Sequence, residues 1–454
     1  MSRKAQKSRQ LELPLEGRGE APRAERSVQR SPAVTEEQDP ATDSLMERIV
    51  DRANAQRAWK RVKRNGGSPG LDGVTVEEGP AWLREHWPRI REELLAGTYQ
   101  PQPVRRATIP KRGGGERHLG IPTVVDRLIQ QLVLQVLQPD IDPTFSEHSY
   151  GFRPYRGAHG AIAEAQRHVQ DGKKWVVDVD LEKFFDRVNH DVLMGRLARR
   201  ISDKRVLRLC RRYLEAGVLA DGVVLERHEG TPQGGPLSPL LANVLLDELD
   251  KKLEQRGHAF VRYADDLRVF MGSKKAGQRV MNSLVRLFGK LRLCVNESKS
   301  AVDRVWNRPF LGFSFWVGRG RKVRTRISRE SIKAMKARVR RLTSRVCGRS
   351  MEQVVSELRA YLLGWRGYFG RVQTPGVLRM LDAWIRRRLR AIQLKQWKRG
   401  KTTFQELVAR GLSRRTAMKV AVNTRRWWHN SAMAINIALP NRDFHRLGLP
   451  NLAP

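Results

Sequence analysis

Apolar positions along this chain recur with two periods, and the places where the period changes divide it. Leu45, Ile49, Ala53 and Trp59 open an amphipathic stretch that predicts one helix running to the Gly66-Gly67 turn. Beyond Trp175 the period becomes two: Val177, Val179 and Leu181 face one side and Asp178 and Asp180 the other, the pattern of a strand. Residues 260–263 and 267–270 are two short apolar runs around Ala264-Asp265-Asp266, which predicts a β-hairpin. After about residue 317 the helical period returns. Val355, Leu358, Leu362, Trp365 and Phe369 share one stripe, Leu378, Leu381, Ile385, Leu389 and Ile392 a second, and Pro375-Gly376 separates the two helices. Residues 1–43 follow neither period, are rich in Pro, Ser, Glu, Arg and Gln, and read as a disordered tail.

Length and composition narrow the class. The 454 residues suffice for about two to four domains, and 40% apolar residues suffice for real cores. No run of about 18 uncharged apolar residues occurs, so no membrane-spanning helix is expected. The first twenty residues have neither the apolar stretch of a signal peptide nor the acid-poor composition of a transit peptide. Cys210, Cys294 and Cys347 are too scattered for a disulfide framework or a zinc site, which fits a reducing cytoplasm.

Charge changes the picture most. With 87 Lys+Arg against 47 Asp+Glu the net charge is +40, which calls for a polyanionic partner. Residues 1–43 are neutral, residues 44–316 carry +13 and residues 317–454 carry +27. That last density exceeds what solubility needs and points to nucleic acid. Arg386, Arg387, Arg388 and Arg390 stud the helix whose apolar stripe is Leu381, Ile385 and Leu389, and are candidate nucleic-acid contacts.

Against this positive background the acids on the strand and the hairpin stand out. Each alone is unremarkable: a strand with one buried face usually has a solvated one, and Asp is common in turns. Converging on one point, the carboxylates repel one another and need a cation. Mg²⁺ takes oxygen ligands and leaves positions for phosphates, and two such ions activate a 3′-hydroxyl and stabilise a leaving pyrophosphate. That is the chemistry of nucleotidyl transfer.

Tyr263-Ala-Asp-Asp266 resembles the YADD box of reverse transcriptases, specifically those encoded by bacterial group II introns. Asp180-Leu-Glu-Lys-Phe-Phe-Asp186 is similar to that family's first catalytic motif. The resemblance covers roughly residues 45–454 and includes blocks at 67–73, 109–122, 145–154, 230–239 and 310–313. It implies an α+β right-hand polymerase, with fingers and an antiparallel palm sheet over residues 44–316. An α-helical thumb or maturase domain would follow over 317–400, and a basic helical DNA-binding end over 401–454.

The resemblance also implies roles. Asp180, Asp265 and Asp266, with the Leu181 carbonyl, would hold Mg²⁺, with Mn²⁺ as an alternative. Asp178 shares their face without matching the motif. Phe185 would pack under the sugar and exclude a 2′-hydroxyl, with Phe184 or both rings in the core as the plain alternative. Lys111 and Arg117, on either side of Gly113-Gly-Gly115, would bind a triphosphate. Gln233, in a Gly/Pro-rich segment before a helix at 240–253, would touch the incoming nucleotide. Lys299 would act as a general acid toward pyrophosphate, and an ordinary surface lysine is the alternative. His118 and His159 read as structural, and Trp365, Tyr368 and Trp397 as core.

Partners implied are group II intron RNA, an RNA template with a DNA primer, dNTPs and target DNA, in the bacterial cytoplasm on a ribonucleoprotein or nucleoid. Monomer and dimer both fit. The paired cysteines of a His-Asn-His endonuclease are missing, so no second-strand nuclease is expected. Two rivals stand beside the intron reading: a splicing-only RNA-binding maturase, and a domesticated or defence-associated reverse transcriptase. Intact acids count against the first; Ala264 and the basic C-terminal region count against the second.

Overall fold

In the computed structural model, which describes residues 44–110, 116–220, 223–225, 228–231, 234–345, 348–432 and 435–453, the first predicted helix is two helices. Leu45–Ile49 ends at Val50, and Arg52–Asn65 begins anew because the Asp51 side chain accepts from the Ala53 and Asn54 amides. An Asx cap of this kind satisfies orphan amides but holds its own residue extended, which breaks the run. The predicted disordered tail at 1–43 lies outside the described residues.

The chain divides into two compact units, residues 44–165 with 173–303, and residues 166–172 with 304–453. Two four-stranded sheets shape the first. Strands β1 (Val104–Pro110) and β2 (Glu116–Ile121) form an antiparallel hairpin. Strand β3 (Trp175–Val179) belongs to the second sheet. Strands β4 (Val218–Ala220) and β5 (Val223–Leu225) complete the first sheet in the order β2-β1-β4-β5, with β4 parallel to β1. Strands β6 (Ala259–Tyr263), β7 (Asp266–Met271) and β8 (Ala301–Arg304) give the second sheet the order β6-β7-β3-β8.

One continuous core joins this second sheet to the helices Ser238–Gln255 and Lys274–Lys290, through Val177, Val179, Val269, Leu245, Leu284 and Phe288. Helix Ser238–Gln255 is buried around most of its circumference, yet it carries a buried polar stripe of Asn243, Asp247 and Asp250. A buried polar stripe survives only where each group has a partner. These do: Asp247 pairs with Arg200 and Lys251, and Asp250 with Arg262.

The second unit begins with an antiparallel hairpin of β9 (Phe313–Val317) and β10 (Val323–Ile327). Helices Arg329–Leu342, Met351–Phe369 and Gly376–Gln396 follow. The 3-4 stripes are internal as expected: Val355, Leu358, Leu362, Leu378, Leu381, Ile385, Leu389 and Ile392 are all buried. Ser350 and Gln353 form a capping box that starts the middle helix. Trp365 and Trp397 are buried, and the Tyr368 hydroxyl donates to the Leu311 carbonyl. Among the described residues no helix is long and apolar enough to cross a membrane.

Candidate active site

The geometry starts from strand register. Strands β3 and β7 are antiparallel, with Asp178 opposite Arg268 and Val179 opposite Leu267. The pairing ends there, with Asp180 the next residue after β3 and Asp266 the first of β7, so strand alternation would project both toward the face that carries Asp178. Strands β6 and β7 close a two-residue turn, Ala264-Asp265, with Tyr263 opposite Asp266. Asp265 is exposed on the turn and Asp266 half-buried beside it. The three carboxylates therefore come from the end of one strand, the tip of the adjoining hairpin and the start of its second arm.

Asp178 lies on this face but is buried, and its carboxylate pairs with Arg268. The same guanidinium lies 3.2 Å from Asp266 Oδ1. Arg268 thus links the inner acid to one of the outer acids, and sequence reading missed it because the pairing runs between strands.

The turn is held from beneath. Ala264 has φ +58°, in the left-handed region that costs an alanine about 1–2 kcal/mol. Its carbonyl accepts from Arg262 Nη1 at 2.9 Å, and the same nitrogen donates to Asn243 Oδ1 at 2.9 Å. Arg262 Nε lies 2.9 Å from both oxygens of Asp250, and Nη2 lies 2.5 Å from Oδ2. Both charges are sealed off, with Arg262 1% and Asp250 0% exposed. Asn243 Nδ2 donates to the Gly151 carbonyl at 2.9 Å, and Gly151 lies so close to the turn that a Cβ there would sit 2.2 Å from the Ala264 nitrogen. A charged residue in the otherwise apolar run Phe260-Val-Arg-Tyr263 was the sequence signal for this network.

Residues 294–300 fasten the other side. The Glu182 amide donates to the Cys294 carbonyl at 2.9 Å, the Asn296 amide to the Asp180 carbonyl at 2.8 Å, and the Asp180 amide to Ser300 Oγ at 3.0 Å. These bonds use backbone groups on either side of Leu181. Lys299 is exposed, with Nζ 3.7 Å from Asp180 Oδ2. Phe184 is buried in the core, whereas Phe185 is half-buried and meets it edge-on at 5.1 Å.

The Phe185 carbonyl accepts from the Thr231 amide at 2.7 Å, which ties the segment preceding Gln233 to the Phe185 turn. Gly234 has φ +139°, and a Cβ there would lie 2.5 Å from the Gly120 carbonyl, so only glycine lets this loop rest against β2. Arg117 sits in β2 opposite Ile109. Lys111, Gln233 and the Arg117 side chain lie outside the described residues. His118 is exposed, beside Arg106 and Thr108.

The arginine-studded helix is bound up within its own unit. Arg390 is buried and donates to the Leu439 carbonyl and Asn441 Oδ1, each at 2.9 Å. Arg388 Nη2 donates to the Thr343 carbonyl at 3.0 Å, Arg387 Nη2 to the Trp428 carbonyl at 3.1 Å, and Arg386 to Asn451. All four guanidiniums hold neighbouring segments as well as carrying charge.

The carboxylates of Asp180, Asp265 and Asp266, if they shared an ion, would suit a hard divalent cation that keeps open positions for phosphate oxygens. Three acids at the junction of two strands of an antiparallel sheet are the arrangement that a palm-type polymerase would present. Residues 109–315 match the reverse transcriptase (RNA-dependent DNA polymerase) family, and residues 332–411 match the group II intron maturase-specific domain. The chain is 36% identical over 277 residues to Protein YkfC of Escherichia coli K12, covering 52% of this chain and 73% of that protein. It is 38% identical over 206 residues to the group II intron-encoded protein LtrA of Lactococcus lactis subsp. cremoris, covering 45% of this chain and 34% of LtrA. Among solved structures, a chain of a partial Cas6-RT-Cas1–Cas2 complex matches with a TM-score of 0.36 and 26% identity, over 54% of this chain and 42% of that one.

The chain belongs to the group II intron-encoded reverse transcriptase and maturase family. Its α+β first unit and helical second unit are the fold that family predicts. Membership implies dependence on a divalent metal and binding of nucleic acid. The match spans about a third of LtrA's own length.

Proposed function

We propose that this chain extends a DNA primer along intron RNA with dNTPs, using Mg²⁺ held by Asp180, Asp265, Asp266 and the Leu181 carbonyl. The observation that supports this reading is the β3–β7 register, in which Val179 faces Leu267, so that β3 ends next to Asp180 where β7 starts at Asp266 beside the Ala264-Asp265 turn. The metal pair would lower the cost of ionising the primer 3′-hydroxyl and of charge on the departing pyrophosphate. The 3′-oxygen bonds to the α-phosphorus of the dNTP, the bond to the bridging oxygen breaks, and the hydroxyl proton leaves to solvent. Lys299, 3.7 Å from Asp180, supplies a proton to pyrophosphate. Phe185 lies under the deoxyribose, while Lys111 and Arg117 take the triphosphate and Gln233 the nucleotide.

Residues 44–316 act as fingers and palm, 317–400 as thumb and maturase domain, and 401–454 as a nucleic-acid-binding end that grips intron RNA and target DNA. The +27 over residues 317–454 supports that grip, with Arg386, Arg387 and Arg388 adding charge at its surface. The decisive experiment is primer extension with dTTP on poly(rA)·oligo(dT) in Mg²⁺. Asp265→Ala abolishes extension while RNA binding persists; extension at the wild-type rate would overturn the assignment of the acids.

A further inference from the structure

The second unit contains a cavity of about 240 Å³ lined by Arg340, Arg345, Trp384, Arg388, Ala391 and Trp428. We propose that this cavity holds one unpaired nucleotide, its base against the indoles and its phosphate on Arg340 and Arg345. The inference rests on the nucleic-acid-binding reading above and adds to it a particular subsite.

Charge is the first argument. Three arginines line the cavity and no acid does. Arg388 is fastened by Thr343, through Oγ1 and the carbonyl. Burial, and after it the Arg345 and Arg340 guanidiniums, pulls Arg388 below its ordinary value. Arg340 and Arg345 are exposed, and among the described residues their guanidiniums meet no carboxylate or carbonyl. Each lies over a ring instead: Arg340 is 5.8 Å from the Trp384 centroid and Arg345 5.4 Å from that of Trp427. Like charges gathered around a concavity repel, and a phosphate entering there relieves them.

The aromatic lining is the second. Lys336 and Arg388 also lie over Trp384, at 5.6 and 5.5 Å, and Arg387 lies 4.1 Å from the Trp428 centroid. Trp428 is 38% exposed, which is unusual for so large an apolar ring. Cation-backed indoles are platforms for a base, since every base has a π-face and stacking tolerates any sequence. Within a duplex both faces of an internal base are covered, so the cavity selects a nucleotide that is unstacked.

The test uses the full chain and fluorescence anisotropy with three 5′-fluorescein 12-mers: (rA)12, (dA)12 and an abasic tetrahydrofuran-phosphate strand. Trp428→Ala weakens an adenine strand about 10-fold and the abasic strand less than about 2-fold, as loss of stacking requires. Trp428→Phe keeps a stacking face and restores binding, which separates stacking from local unfolding. Arg340→Ala with Arg345→Ala weakens all three strands and lowers the log–log salt slope by about 0.7, the share of one phosphate on a single strand. Loss on (rA)12 alone assigns the occupant to RNA, and loss on both adenine strands admits either sugar; both support the subsite. Equal weakening of adenine and abasic strands by Trp428→Ala, or no weakening, overturns it. Primer extension by Asp265→Ala reads the polymerase assignment by itself, so its failure and failure of the subsite are distinguished.

Discussion

Replacing Arg262 by Met tests whether the catalytic hairpin depends on the buried network below it. The variant leaves Asp250 with no exposure and without its counter-ion. Breaking one side of a buried pair costs about 3–5 kcal/mol. That is a large fraction of the roughly 5–15 kcal/mol that holds a domain together, and corresponds to a drop of roughly 10 °C in melting temperature. Burial, and then the Asp247 and Glu254 carboxylates, pushes the Asp250 carboxyl up from its ordinary value, while Arg262 pulls it down. Without Arg262 the folded value rises further above the unfolded one. Stability is then retained at low pH, where the carboxyl is protonated in both states, and lost as pH rises through the folded value. The deficit against wild type is therefore larger at pH 8 than at pH 5. Loss of the charged hydrogen bond to the Ala264 carbonyl, about 1.5–3 kcal/mol, lowers the population of the productive turn about 10- to 150-fold. Adding Asp250→Leu removes the stranded charge, so the double variant recovers its melting temperature but not its primer extension. A single variant that melts within about 2 °C of wild type would refute the buried-pair argument. A double variant that extends primers normally would refute the link from Arg262 to the turn.

Gly151→Ala sets a methyl group against the Ala264 nitrogen, and should cost about 1–3 kcal/mol in urea denaturation and slow primer extension. Phe185→Ala opens the space beside a half-buried ring and should lower discrimination against ribonucleotides about 10- to 100-fold, read from competing dTTP and UTP incorporation. RNA affinity should fall roughly 10³-fold or more between about 50 and 200 mM salt if six or so phosphates are neutralised. A flat salt response would mean that the +40 charge is not a phosphate-binding surface.

Period-two alternation was enough to put Val177 and Val179 in the core and Asp178 on the opposite face, because that pattern is set by the strand itself. The hairpin at 263–266 was equally legible, since apolar arms and a polar tip leave few alternatives. Asp51 was not, because an N-cap and a mid-helix aspartate look alike until the backbone is seen to turn extended there. The pairing of Asp178 with Arg268 depends on which residues of distant strands lie opposite, and a single sequence does not carry register. The same holds for Arg262 with Asp250, strand to helix. For Arg386 to Arg390, sequence gives charge but not whether a guanidinium faces solvent or a carbonyl of its own unit.

The β3–β7 pairing also sets an order of events during synthesis. Asp180 emerges from the ribosome long before Asp266, and the bonds from Asn296 and Ser300 that fix Asp180 come later still. The metal site proposed above therefore cannot form in a nascent chain until about residue 300 is made, roughly 15–60 s after initiation at about 5–20 residues per second. Until β7 is made at Asp266–Met271 β3 has no partner on either edge, and its second edge stays open until β8 at Ala301–Arg304. The enzyme's chemistry and its greatest exposure to misassembly thus share one cause, a sheet whose central strand is made first and paired last.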